Sequence, residues 1–131
     1  PLATIGAALL GAPIALTHER GWDADLALRQ ALSDSRSRDR RYRATQAGPH
    51  RGDVTVLVSG RAAKDQVSRG QQKLVAAGLM LAQLTVQEQE RPGRSALLLD
   101  DPAAELDRDN LARLMALVRD VPAQLWVTSL E

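Results

Sequence analysis

Residues 95–107 read Ser95-Ala96-Leu97-Leu98-Leu99-Asp100-Asp101-Pro102-Ala103-Ala104-Glu105-Leu106-Asp107. An apolar run without polar alternation, stopping on two aspartates, reads as a strand buried on both faces, the pattern of parallel sheets. The stretch 107–120, with Leu111, Leu114, Met115 and Val118, predicts an amphipathic helix, and 124–129 (QLWVTS) predicts another buried strand. Strand, helix and strand in this order suggest one right-handed βαβ unit. Ligands of open parallel sheets sit at strand carboxyl ends, where Asp100 and Asp101 stand. Neighbouring acids there point to opposite faces, so different jobs are expected of them. Asp100 suits Mg2+ bound mostly through water, and Asp101 suits holding or activating an attacking water. The plainer alternative is two solvated acids after a strand. Asp107, with Asn110 three residues on, reads as the N-cap of the next helix.

Working outward, Ser68-Arg69-Gly70-Gln71-Gln72-Lys73 precedes an apolar helix predicted over 70–88, with Leu74, Ala77, Gly78, Leu81 and Leu84 near a 3.6-residue period. Ser68 and Gln71 form a capping-box pair. The same helix start offers open N–H groups and a partial positive charge suited to phosphate, and Gly70 permits close approach. Arg91-Pro92-Gly93-Arg94 breaks the helix. Residues 53–59 (DVTVLVS) predict a strand, and 23–46 predict a helix ended by Gly48 and Pro49. In 1–22, Gly6, Gly11, Pro13 and Gly21 argue against one long helix, with a short strand expected around Ile14 to Thr17.

Hydrophobic residues make up 44% and charged residues 25% of the 131, an ordinary globular composition for one domain. With three aromatic residues and no Phe, the core must be built from Leu, Val and Ala. A net charge of +1 identifies no partner, but Arg36, Arg38, Arg40, Arg41, Arg43 and Arg51 face one acid, Asp39, between residues 36 and 51. Such a run is either a solvated face or a DNA-phosphate contact, with only Tyr42 available for stacking. The absence of Cys excludes disulfides and thiolate metal sites and is compatible with the cytoplasm. The uncharged N-terminal run falls short of the ~20 residues of a bilayer span and lacks the basic flank of a signal peptide. A start at Pro1 reads as a cut inside a longer protein.

The order of these motifs resembles the second half of an ABC-type ATPase head, and within that class the RecF family. Asp65-Gln66-Val67-Ser68-Arg69-Gly70-Gln71-Gln72-Lys73-Leu74 resembles the RecF signature. Gly48-Pro49-His50-Arg51 resembles the segment that precedes it, and Leu98-Leu99-Asp100-Asp101 with Ala104-Glu105-Leu106-Asp107 resembles the Walker B and D-loop. The resemblance implies an α/β fold with a largely parallel sheet flanked by helices. Residues 1–47 would belong to helical lobe II with a basic helix, and 48–131 to the C-terminal part of the ATPase lobe.

The resemblance also implies an ATP-dependent, DNA-binding homodimer of replication-gap repair, acting with RecO and RecR to load RecA. Ser68, Gly70 and Gln71 would then contact the γ-phosphate of ATP held by a partner subunit. Asp100 would hold Mg2+, Asp101 the water, and Asp107 would communicate across the dimer. Arg36, Arg40, Arg41 and Arg43 are the candidate contacts to single- and double-stranded DNA. Asp101 stands where many ABC ATPases carry Glu, and Thr128-Ser129 where many carry a switch His. No G-x-x-x-x-G-K-[ST] loop occurs, so the chain by itself is expected neither to bind ATP tightly nor to hydrolyse it. A transporter subunit, a Rad50-like or SMC-like head, or a non-catalytic interaction module are the alternatives. His18 is expected on the surface and His50 in a structural role.

Overall fold

A computed structural model describes residues 1–129. In chain order the elements are α1 (Leu2–Leu10), β1 (Ile14–Glu19), α2 (Leu28–Tyr42), β2 (Asp53–Val58), β3 (Arg61–Ala62), α3 (Arg69–Glu90), β4 (Ala96–Leu99), α4 (Pro102–Glu105), α5 (Arg108–Arg119) and β5 (Gln124–Val127). Single 3-10 turns lie at Pro49–Arg51 and Ala63–Asp65. The strands form two sheets, ordered β1-β2-β3 and β4-β5. β2 and β3 are antiparallel, and β4 and β5 are parallel. An α/β fold with a parallel pair beside helices therefore forms, as the apolar run at 95–99 implied.

The chain folds as two compact units. One joins Pro1–Ala15 to the chain from Leu57 onward, and the other is Leu16–Val56. This division differs from one at residues 47 and 48. β1 and β2 carry the chain out of the first unit and back, so residues 1–15 and 57 onward share one body.

The first unit is built on Leu9, Leu74, Leu81, Leu114 and Val118, from α1, α3 and α5. Ile5, Leu97, Leu99, Leu106 and Leu117 pack against them, so β4 turns one face to this core. Burying each such aliphatic side chain contributes about 1.5–3 kcal/mol. α1 was not foreseen. The glycines and proline of the N-terminal stretch end the helix without preventing it: Gly11 closes it in the left-handed conformation, and Pro13 follows. Gly6 permits the turn behind it, since a Cβ there would lie 2.6 Å from both the Ile14 backbone nitrogen and Ile14 Cγ1.

Burial on both faces of the parallel strands, expected from the unbroken apolar run, is not observed. Leu97 and Leu99 are half-buried, but Leu98 is 73% exposed and Trp126 60% exposed. The outer face of a two-stranded sheet has no second layer among the described residues, so the apolar residues there meet solvent. The sequence pattern thus reports a burial that this stretch of chain does not itself supply.

Glu88, near the end of α3, is buried with its carboxylate accepting from the amides of Gly93 (2.6 Å) and Ser95 (2.9 Å). It pins the turn 91–95 that leads into β4. The Ser95 hydroxyl and then the Gly93 amide hold its carboxyl below the ordinary glutamate value. A lowered folded-state pKa gives stability that is complete above the unfolded value, ~4.3, and is lost as pH falls through the folded value. Glu88→Gln is therefore expected to lower the melting temperature at pH 7 and to shrink the loss between pH 5 and pH 2 relative to the parent. Melts across that range check it, and an undiminished acid loss in the variant would count against this assignment.

Candidate functional site

The β4–β5 ladder pairs Ala96 with Gln124, Leu97 with Leu125, Leu98 with Trp126 and Leu99 with Val127. This register sets Thr128 beside Asp100 at the carboxyl end of the pair. The Thr128 amide donates to the Leu99 carbonyl at 2.9 Å. The Thr128 hydroxyl donates to Asp100 Oδ1 at 2.6 Å and accepts from the Asp101 amide at 3.0 Å. Asp101 lies in the left-handed region (φ 39°, ψ 57°) immediately before α4. Aspartate tolerates that region better than most residues. Asp100 is exposed and Asp101 half-buried. Both acids thus stand at the carboxyl end of the parallel pair, the end at which open α/β sheets generally take their ligands.

Among the described residues no three His, Asp or Glu side chains converge as a metal cage. A lone carboxylate fits Mg2+ nonetheless, because that ion keeps several waters and takes its other ligands from substrate phosphates. Thr128 takes one acceptor site of Oδ1, and Oδ2 has no hydrogen-bond partner among the described residues.

The start of α3 forms the capping box read from the sequence. Ser68 Oγ accepts from the Gln71 amide at 3.3 Å, and the Gln71 side chain accepts from the Ser68 amide at 2.9 Å. The Gln72 amide donates to the Ser68 carbonyl at 2.8 Å. The amides of Arg69 and Gly70 are left as the open donors of this helix end. A Cβ on Gly70 would meet only Ser68 Oγ, at 4.0 Å, so the space over the helix start is open. Lys73, one turn into α3, forms an ion pair with Glu105 and also donates to its carbonyl at 3.3 Å. That pair ties the signature-like helix to the segment after Asp101. Asp107 caps α5, accepting from the Asn110 amide at 2.9 Å and the Asn110 side chain at 2.6 Å. The Asn110 amide, foremost, holds its carboxyl below the ordinary aspartate value.

In the second unit, α2 begins at Leu28, later than the expected residue 23, and ends at Tyr42, with Arg43 in the left-handed conformation as its C-cap. Arg36, Arg38, Arg40, Arg41 and Arg43 are exposed, and none forms an ion pair among the described residues. Asp39, the one acid in the run, turns inward: its carboxylate accepts from the buried Ser35 hydroxyl (3.0 Å) and the Gln46 amide (2.8 Å). The arginine charge is therefore not locally neutralised. The Arg41 guanidinium lies 5.9 Å from the Tyr42 ring centroid. His50 Nε2 is 3.0 Å from the Thr45 carbonyl, bracing its own loop, and His18 is exposed.

Sequence reasoning missed three participants. The Thr128 bridge and the Lys73–Glu105 pair join residues 28 and 32 apart in sequence, and only the fold brings them together. The inward turn of Asp39 likewise depends on partners, Ser35 and Gln46, that its charge alone does not indicate.

No protein-family model matches the chain. Against solved structures it superposes on the recombination mediator protein RecF with ATP in the RecFOR pathway, with a TM-score of 0.76 at 24% identity over 99% of this chain and 37% of that one. It also superposes on an SMC head bound to the C-winged helix domain of ScpA, with a TM-score of 0.56 at 19% identity over 99% of this chain and 33% of that one. The fold is thus shared with part of RecF and part of an SMC head. Among curated sequences, the DNA replication and repair protein RecF of Pseudomonas fluorescens (strain Pf-5) is 38% identical over 128 residues, covering 98% of this chain and 35% of the relative. The RecF of Pseudomonas putida (strain F1) is 38% identical over 118 residues, covering 90% and 32%. The chain is thus similar over nearly its whole length to the C-terminal part of RecF proteins, and spans about a third of the length of these relatives.

Ser68 and Gly70 are separable by stability. Ser68→Ala removes a cap worth about 1 kcal/mol and is expected to lower the melting temperature. Gly70→Ala meets no steric obstacle and is expected to leave melting unchanged or raise it, by up to about 1 kcal/mol of helix propensity. Melting curves of the two variants check this. A Gly70→Ala variant destabilised as much as Ser68→Ala would mean that the glycine is required by the fold.

Proposed function

We propose that this chain is the part of a recombinational-repair ATPase that supplies the signature helix and the Walker B acids to an ATP-driven, DNA-binding homodimer. The observation that carries the reading is the pair Asp100 and Asp101 at the carboxyl end of the parallel β4–β5 ladder, in a chain whose relatives are RecF proteins. In this reading the bound nucleotide supplies a γ-phosphate and Mg2+ supplies charge neutralisation. Asp100 orients the ion's ligand shell through one carboxylate oxygen. Asp101, in its constrained backbone, holds the water and accepts its proton. The open Arg69 and Gly70 amides over Ser68 receive the γ-phosphate of nucleotide held by the partner subunit. The phosphate bridges the two subunits, so ATP favours the dimer and hydrolysis releases it. Asp107, capping α5 next to Glu105, passes the state of one site to the other. Slow turnover suits a timer of DNA residence. RecR, with RecO and RecA in the same pathway, are the partners that fit this role, and the cytoplasm is its setting. No helix among the described residues is long and apolar enough to cross a membrane.

The missing phosphate-cradling loop gives the first test. In a fluorescent-nucleotide titration the 131-residue chain is expected to show no micromolar affinity for ATP. Saturable micromolar binding would overturn the division of labour between this stretch and the remainder of the family's chain. The basic helix gives the second. Arg36, Arg40, Arg41 and Arg43 neutralise DNA phosphates, so binding to a DNA duplex should weaken steeply with salt. Each contact contributes about −0.9 to the log–log slope, so replacing Arg40 and Arg41 by Ala should flatten it by about 2. An unchanged slope would leave α2 as a solvated face.

A further inference from the structure

We infer that Thr128 is the positioning residue of the acid pair. Its single hydroxyl fixes both the carboxylate of Asp100 and the backbone of Asp101, where many heads of this class carry a switch His. The inference rests on the reading of Asp100 as the cation ligand. A threonine hydroxyl has one proton to give and lone pairs to receive, and both are used here. The proton goes to Asp100 Oδ1 at 2.6 Å, within the range of a charge-assisted O–H···O⁻ bond. A lone pair takes the Asp101 amide at 3.0 Å. The main chain of Thr128 is itself anchored by its amide on the Leu99 carbonyl at 2.9 Å, one step beyond the Leu99–Val127 pair. The hydroxyl therefore sits at the end of a rigid ladder, and its reach is set by strand register.

Two consequences follow for the acids. With one acceptor site of Oδ1 taken by Thr128, the orientation of the Asp100 carboxylate is set and Oδ2 suits the monodentate contact that an ion with strict octahedral preferences and many waters accepts. The amide bond to Thr128 holds Asp101 in the left-handed region, at a cost that an unconstrained aspartate would avoid by relaxing to extended backbone. Unlike a His, Thr128 has no charge to change, so its contribution is geometric and independent of pH near neutrality.

Thr128 is exposed, so Thr128→Val removes the hydroxyl without opening the core. The experiment is an NMR titration of the 131-residue chain with Mn2+ as the probe, comparing the parent, Thr128→Val and Thr128→Ser, alongside amide hydrogen exchange of Asp101. In the parent, Mn2+ is expected to broaden Asp100 and its neighbours preferentially. In Thr128→Val that broadening should need at least about threefold more Mn2+, and Asp101 exchange should quicken by about fivefold to tenfold, the scale of one lost hydrogen bond. Thr128→Ser should restore both. The spectra of α1, α3 and α5 should stay unchanged, which separates positioning from a general loss of structure. Mn2+ broadening that is the same in Thr128→Val as in the parent overturns the positioning role alone. Absence of preferential broadening at Asp100 in the parent overturns the cation-site reading, and the role of Thr128 with it.

Discussion

The parallel ladder between β4 and β5 is the constraint on which the rest of the site depends. Its register ends with Leu99 opposite Val127, so the next residues of the two strands, Asp100 and Thr128, meet at one end. A slip of one residue would turn Leu97 and Leu99 out of the core and carry Thr128 away from both acids. The hydrophobic contacts of α1, α3 and α5 with the inner face of β4 oppose that slip. Core packing and acid geometry are therefore one constraint seen from two sides.

The two helix starts in this unit follow a common logic. α3 opens on Ser68 and α5 on Asp107, each with its side chain taking the third amide of its helix. A cap stabilises the fold whether or not a ligand is present, which is why capping residues by themselves say little of function. What distinguishes α3 is the open space above Gly70 and the ion pair from Lys73 to Glu105. That pair gives the capped start of α3 a direct mechanical link to the segment after the acids. Exposed on both sides, it acts by geometry more than by energy.

Leu98 and Trp126 are the residues a two-layered parallel sheet would bury, and the chain spans only about a third of the RecF relatives it matches. Residues 95–99 carry the unbroken apolar pattern of a doubly covered strand, while the described residues cover one face.

The sequence by itself determined what is local. The helix over 70–88, the caps at Ser68 and Asp107, the break at 91–94 and the strands read at 53–59 and 95–99 were all legible, to within a residue or two at their ends. Each depends on propensity, periodicity or a partner within a few residues. It under-read α1, because Gly6 is accommodated by a close approach of Ile14 that has no signature in the N-terminal stretch alone. It could not show that Asp39 faces inward while the arginines around it stay open, nor that Thr128 and Lys73 reach partners 28 and 32 residues away. Those were decided by tertiary structure alone, because a hydrogen bond across a ladder depends on strand register, and register is set by the whole core and not by any one segment.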